Sequence, residues 1–200
     1  MLRSDLGPAI AAAAAIIQHP RVLVMGSQSL LGSFPEDQLP VSVTMAGRVA
    51  IAPFGTGNDD ALADQLSYEA GESSEFHAAN GFYLEGARPR TAILPRGWEN
   101  RLVPFRSAGE ATGLCLDPHD LCAAKLMVHR PNDLELVRAL VELELVAPET
   151  LAERLAAIQP DAHADASSVA VLDGKRRLAL AFVAREGRER AESARRRLPD

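Results

Sequence analysis

The first patterned segment of the chain, Asp5 to Gln18, is rich in alanine, the strongest intrinsic helix former, and His19-Pro20 brings that helix to an end. Arg21-Val-Leu-Val-Met25 is an unbroken apolar run of strand length closed by Gly26, the pattern of a buried strand. Ser27 is placed to cap a short helix through Leu31, whose length Gly32 and Pro35 limit. Val41 to Ala52 carries β-branched residues in partial alternation and closes at Pro53, which predicts a second strand, best defined over Arg48 to Ala52. A Gly-rich turn, Gly55 to Asp59, then leads into a helix over Asp60 to Ala70. Gly81–Glu85 and Thr91–Leu94 read as a hairpin, and Leu102–Phe105 as an edge strand, because Pro104 cannot donate to a central ladder.

After Leu116 the pattern turns helical. Asp117 caps, Pro118 takes the first helical position, and Asp120 lies in the first turn, where the dipole favours an acid. Helices are predicted at about 118–129, 132–145, 148–158 and 162–196, the last with a break near Asp173-Gly174. Ala162, Ala166, Val169 and Ala170 form a small-residue stripe suited to packing on the same chain or on another. A helix, a mixed strand region and a run of helices predict an α+β fold, a mixed β-sheet flanked by helices and followed by a helical C-terminal half. The expected division is a core at 1–110, a helical part at 111–160 and a basic helical tail at 161–200.

Composition narrows the class. Apolar residues make up 47% and charged residues 24%, close to the average of globular domains, which argues against a disordered or fibrous chain. The longest apolar stretches, Ala9–Ile17 and Leu178–Ala184, fall short of the roughly 20 residues that span a bilayer. The opening residues lack the basic, apolar and cleavage regions of a secretory leader. Cys115 and Cys122 can neither staple a domain of this size nor form a metal knuckle, so a reduced, cytoplasmic protein without a membrane partner is expected. The net charge is −6, but from Val171 onward nine basic residues face five acidic ones, a +4 tail on a −10 body. Such a tail can contact RNA, or it can be a solvated helix laced with acid–base pairs.

There is no P-loop, dinucleotide fingerprint, HExxH, CxxC or GxSxG, and the five histidines are scattered. Gly26-Ser27, straight after a strand and opening a helix, can bring backbone amides to a phosphate; ordinary strand-to-helix packing uses the same pattern. Leu121, Ala124, Lys125 and Val128 share a helical stripe, which sets Lys125 at the edge of an apolar face. There it either snorkels to solvent or points at an anion. Arg130 and Asp133 follow at a Pro-marked helix junction, where they can pair with each other or with Lys125.

Four segments occur in order: Val24–Pro35 around Gly26-Ser27, Phe76–Tyr83, Leu94–Leu102 with Trp98, and Leu116–Leu126 with Lys125 followed by Arg130 and Asp133. Together they resemble a bacterial family of nucleotidyltransferase-like proteins related to the AbiEii/MenT-type nucleotidyltransferase toxins, over about residues 5 to 158. The resemblance implies a nucleotidyltransferase-like mixed sheet and transfer of a nucleotide from an NTP to RNA or another acceptor. It implies that Gly26 and Ser27 hold nucleotide phosphates, that Lys125 contacts the triphosphate and Arg130 the nucleotide, and that Asp133 is a cleft acid or structural partner, which makes Lys125 and Asp133 the catalytic candidates. It also implies a cognate antitoxin-like protein as partner, and Mg²⁺ as cofactor if the protein is active.

One feature departs from that family. There, two metal ions are held by acids at alternate positions of the strand after the Gly-Ser helix, where residues i and i+2 share a face. Here those positions are Arg48 and Ala50, and Val41 to Ala52 contains no acid, so no metal ligands are assigned. Asp59 and Asp60 are adjacent in a turn, Asp64 is on a helix, and Glu85 alone is a poor Mg²⁺ site. Arg48 can instead take two phosphate oxygens at once, or make a salt bridge. Three readings follow: an active transferase, a degenerate module that binds nucleotide, RNA or a partner protein, and a pure interaction protein.

Overall fold

The structure, a computed structural model, describes residues 1–107 and 109–197. Residues 198–200 of the expected tail, and the side chains of residues 193, 194, 196 and 197, lie outside the described residues. The protein is α+β, a five-stranded mixed sheet flanked by helices, with a helical C-terminal half. Two compact units divide the chain: Met1–Ala92 with Glu99–Asp117, and Ile93–Trp98 with Pro118–Asp200.

The first unit holds the sheet. Its strands are β1 (Arg21–Met25), β2 (Arg48–Pro53), β3 (Tyr83–Gly86), β4 (Val103–Arg106) and β5 (Thr112–Cys115), in the spatial order β3-β2-β1-β5-β4. β1 runs antiparallel to β2 and parallel to β5; β2 is parallel to β3, and β4 antiparallel to β5. Among the described residues of this unit the α-helices are α1 (Arg3–Ile17), α2 (Leu30–Ser33), α3 (Val41–Thr44), α4 (Asp59–Ala70) and α5 (Glu75–Asn80). A parallel pair needs a crossover, and α4 and α5 lie in the one between β2 and β3. α1 buries Leu6, Ala9, Ile10, Ala13 and Ile17, the stripe that helical spacing dictates. It lies so close to the sheet that a methyl group at Gly113 of β5 would overlap the Ile10 side chain. α4 lies equally close to β3, where a methyl group at Gly86 would overlap the Ala63 carbonyl.

The structure departs from the sequence pattern at several elements. Val41–Thr44 is a helical turn following Pro40 rather than strand, and only Arg48–Pro53 enters the sheet. Val43 is buried, and its carbonyl accepts the Gln28 amide, so local packing overrides the β propensity of the two valines. The hairpin at 81–94 is absent. β3 pairs with β2 instead, and Pro89–Thr91 forms a 3-10 turn. β5, four residues containing a glycine and lacking clear alternation, was not legible, yet it fills the place beside β1. β4 lies at the sheet edge, as Pro104 requires. α5 was also not legible; the Ser74 hydroxyl caps it by accepting the His77 N–H at 3.1 Å.

The second unit contains α6 (Pro118–Val128), α7 (Pro131–Glu142), α8 (Pro148–Ala156) and α9 (Ala166–Arg197). Proline opens α6, α7 and α8 at their first position, where its missing N–H costs nothing. α9 continues through Asp173-Gly174 without the expected break and packs on α8, α6 and α7, burying Ala179, Phe182 and Val183. That burial outweighs the roughly 1 kcal/mol that a glycine costs inside a helix. The Ala162–Ala170 stripe is largely exposed. On α6 the buried residues are Leu121, Cys122, Ala123, Leu126 and Met127, while Val128 is 49% exposed, so the apolar face is rotated from the expected one. Asp120 is fully buried and pairs with Arg154 of α8 at 3.2 Å. The His119 Nε2 accepts the Ala147 N–H at 3.0 Å, at the start of α8. Among the described residues no helix is long and apolar enough to cross a membrane.

Candidate functional site

The chain leaves β1 through Gly26, at φ 68° and ψ −171°, a conformation that a residue with a Cβ rarely adopts. Ser27 does not cap a helix. It opens a 3-10 turn over Ser27–Ser29, and the Ser29 hydroxyl closes that turn by donating to the Gly26 carbonyl at 2.9 Å. Gln28, 4% exposed, donates to the Val43 carbonyl at 3.3 Å and pins the turn from below. α2 adds only four residues, so the amides here carry little helix dipole.

β2 starts beside this turn, because Met25 is registered with Ala50 and the two strands run in opposite directions. Arg48 and Ala50 share one face of β2, with Tyr83 and Glu85 of β3 directly opposite them in the ladder. The Arg48 guanidinium donates to Glu85 at 3.2 Å, and the two side chains are 57% and 45% exposed. The Tyr83 ring meets His77 at 5.1 Å, and the His77 Nδ1 accepts the Ser73 N–H at 3.1 Å. Gly26, Ser27, Arg48, Tyr83 and Glu85 therefore gather at one end of the sheet.

The other acids of this unit that might have replaced the missing pair are engaged. The Thr56 hydroxyl donates to Asp59, Arg88 bonds Asp64 and reaches Asp60 at 3.3 Å, and Arg90 bonds Asp60. The hydrogen bond from Arg90, helped by Arg88, holds the Asp60 carboxyl below its ordinary range. The bond to Asp64 raises the Arg88 guanidinium above its own. Among the described residues no three His, Cys, Asp or Glu side chains come together as a metal site would need. A hard divalent cation needs several oxygen ligands, carboxylates among them. At this sheet end Ala50 offers none, Arg48 is a cation, and Glu85 is bonded to it. The two strand positions therefore supply no ligand for a divalent cation, and the Glu85 carboxylate beside them is bonded to Arg48.

In the second unit Lys125 donates to Asp133 at 2.7 Å, with the side chains 19% and 14% exposed. The α6–α7 junction makes this pair. His129 adopts φ 65°, Pro131 starts α7, and the Arg130 carbonyl accepts the N–H groups of Asp133 and Leu134 at 3.0 Å. Arg130 is exposed and has no acid partner among the described residues. Of the expected residues, then, Gly26, Ser27 and Arg48 lie together in the first unit, and Lys125 and Asp133 pair in the second.

The tail's cations are partly spent within the chain. Arg176 bonds Asp173 and the Ile158 carbonyl, Arg185 bonds Glu186, and Arg190 bonds Glu144. Glu186, 4% exposed, also takes both nitrogens of a fork from Arg138 of α7, and Arg138 and Arg185 each lie over the Phe182 ring. The Asp120–Arg154 and Arg138–Glu186 pairs leave no local pattern in the sequence, because the partners lie so far apart along the chain. Compared with protein-family models, with curated proteins and with solved structures, the chain finds no match.

Proposed function

We propose that this protein is a degenerate nucleotidyltransferase-like module that binds nucleoside triphosphate at the Gly26–Ser27 end of the sheet without metal-dependent transfer. The observation that carries this reading is the Arg48–Glu85 pair. It sets a cation where the resembled enzymes need anionic ligands, and it ties up the Glu85 carboxylate beside it. A half-exposed pair of this kind is worth less than about 1 kcal/mol, so a polyphosphate can draw Arg48 away. The guanidinium then offers a planar fork to two phosphate oxygens, and its charge does part of what a metal ion would do.

The test is a titration of the full chain with a fluorescent ATP analogue, once in EDTA and once with excess Mg²⁺. Binding in EDTA that Mg²⁺ fails to strengthen, together with no transfer of α-labelled nucleotide to RNA or protein, supports the reading. Mg²⁺-dependent labelling overturns it. Loss of binding in Arg48→Ala assigns the phosphate contact.

A further inference from the structure

The opposite end of the same sheet carries a second group of donors. Arg21 of β1 is registered with Thr112 of β5, and Thr112 in turn with Arg106 of β4. Residues directly opposite in a ladder point to the same side with Cβ atoms about 5 Å apart, so the three side chains stand in one row, hydroxyl in the middle. Both arginines are exposed and Thr112 is half-buried. Elsewhere in this unit Arg48, Arg88 and Arg90 are each tied to a carboxylate, and Arg3 lies over the Phe105 ring. Among the described residues neither Arg21 nor Arg106 has an acid partner, and the Thr112 hydroxyl has no hydrogen bond. The backbone of the row is already satisfied: the Thr112 N–H donates to the Pro20 carbonyl at 2.8 Å, and the Arg21 N–H to His19 at 3.3 Å. The free donors are therefore side chains alone, two forks flanking a hydroxyl.

We propose that Arg21, Thr112 and Arg106 form an oxyanion site that takes a phosphate group. Guanidinium forks match two phosphate oxygens each in geometry and charge, and the hydroxyl supplies a donor between them. The site is separate from the Gly26–Ser27 end. Arg21 and Arg48 stand on the same face but six residues apart along the strand direction, about 20 Å at strand rise, so one phosphate group cannot touch both. The proposal does not rest on nucleotide binding at the other end.

The phosphate can belong to a small molecule or to a polynucleotide, and one experiment separates them. Full-length protein is titrated with inorganic phosphate by calorimetry, and with a labelled single-stranded RNA 12-mer by anisotropy over a range of salt. Arg21→Ala, Arg106→Ala and Thr112→Val are compared with Arg90→Ala, which removes the same formal charge from the same unit. Arg21 and Arg106 are exposed, so these variants should melt with the wild type.

For a polynucleotide, each arginine variant weakens RNA binding roughly tenfold and lowers the salt slope by about 0.7, and inorganic phosphate does not compete. For a small phospho-ligand, inorganic phosphate binds, competes with RNA, and is lost in either arginine variant. Thr112→Val weakens binding with the slope unchanged. Arginine variants that bind both probes as Arg90→Ala does, or a wild type that binds neither, overturn the proposal.

Discussion

Glu85→Gln separates a phosphate site from a metal site by the sign of its effect. In the structure the Glu85 carboxylate holds Arg48 at 3.2 Å, and any phosphate that recruits Arg48 must displace it. With the pair 57% and 45% exposed, solvent screens it strongly, and releasing it costs at most about 1 kcal/mol. The freed carboxylate then faces the phosphate. At about 6 Å and a dielectric near that of water, each phosphate charge adds roughly 0.7 kcal/mol of repulsion. Glutamine keeps the shape and removes both terms, so metal-free ATP should bind tighter by about 1–2 kcal/mol, roughly five- to thirtyfold. Arg48→Ala should weaken it by about 1.5–3 kcal/mol, the worth of a hydrogen bond to a charged group. The assay is the titration in EDTA, repeated with adenosine, whose affinity should not respond to either change. If Glu85 were a metal ligand, Glu85→Gln would instead weaken binding, and only when Mg²⁺ is present. That result, or an unchanged affinity in EDTA, refutes the argument.

Gly113→Ala drives a methyl group into Ile10 and should cost about 1–3 kcal/mol, read as a lower Tm. Gly86→Ala meets the Ala63 carbonyl, which cannot rotate away, and should cost more; the reverse order would contradict the packing described. Burial pushes the Cys115 thiol from 9.0 up to about 12, against a smaller lowering by Arg3. The unfolded thiol ionises first, so its contribution is complete below about pH 9. It then falls by about 1.4 kcal/mol per pH unit toward pH 12. Denaturant titrations should be flat in this respect from pH 8 to 9 and show that slope from pH 9 to 11 in the wild type, with the slope reduced by that amount in Cys115→Ala. Lys125→Ala and Asp133→Ala should each destabilise, with a coupling of about 1 kcal/mol in a double-mutant cycle. Additive effects would show that the 2.7 Å contact is not a working pair.

What could be read from the chain alone is what neighbours along the chain decide. The alanine run predicts α1, the apolar run before Gly26 predicts β1, and Pro118, Pro131 and Pro148 mark the starts of three helices. Propensity, periodicity and capping act within a few residues, so their signals survive without a structure. The absence of acids between Val41 and Ala52 is equally plain in one dimension. Tertiary structure decided the rest. It made Val41–Thr44 a helical turn, gave β3 to β2 rather than to a hairpin, and drew Thr112–Cys115 in beside β1. It also chose the charge partners: Arg48 with Glu85, Lys125 with Asp133, Asp120 with Arg154 and Arg138 with Glu186. Long-range pairing depends on strand register and on which faces are buried together, and those follow from the packing of the whole domain rather than from any local run of residues.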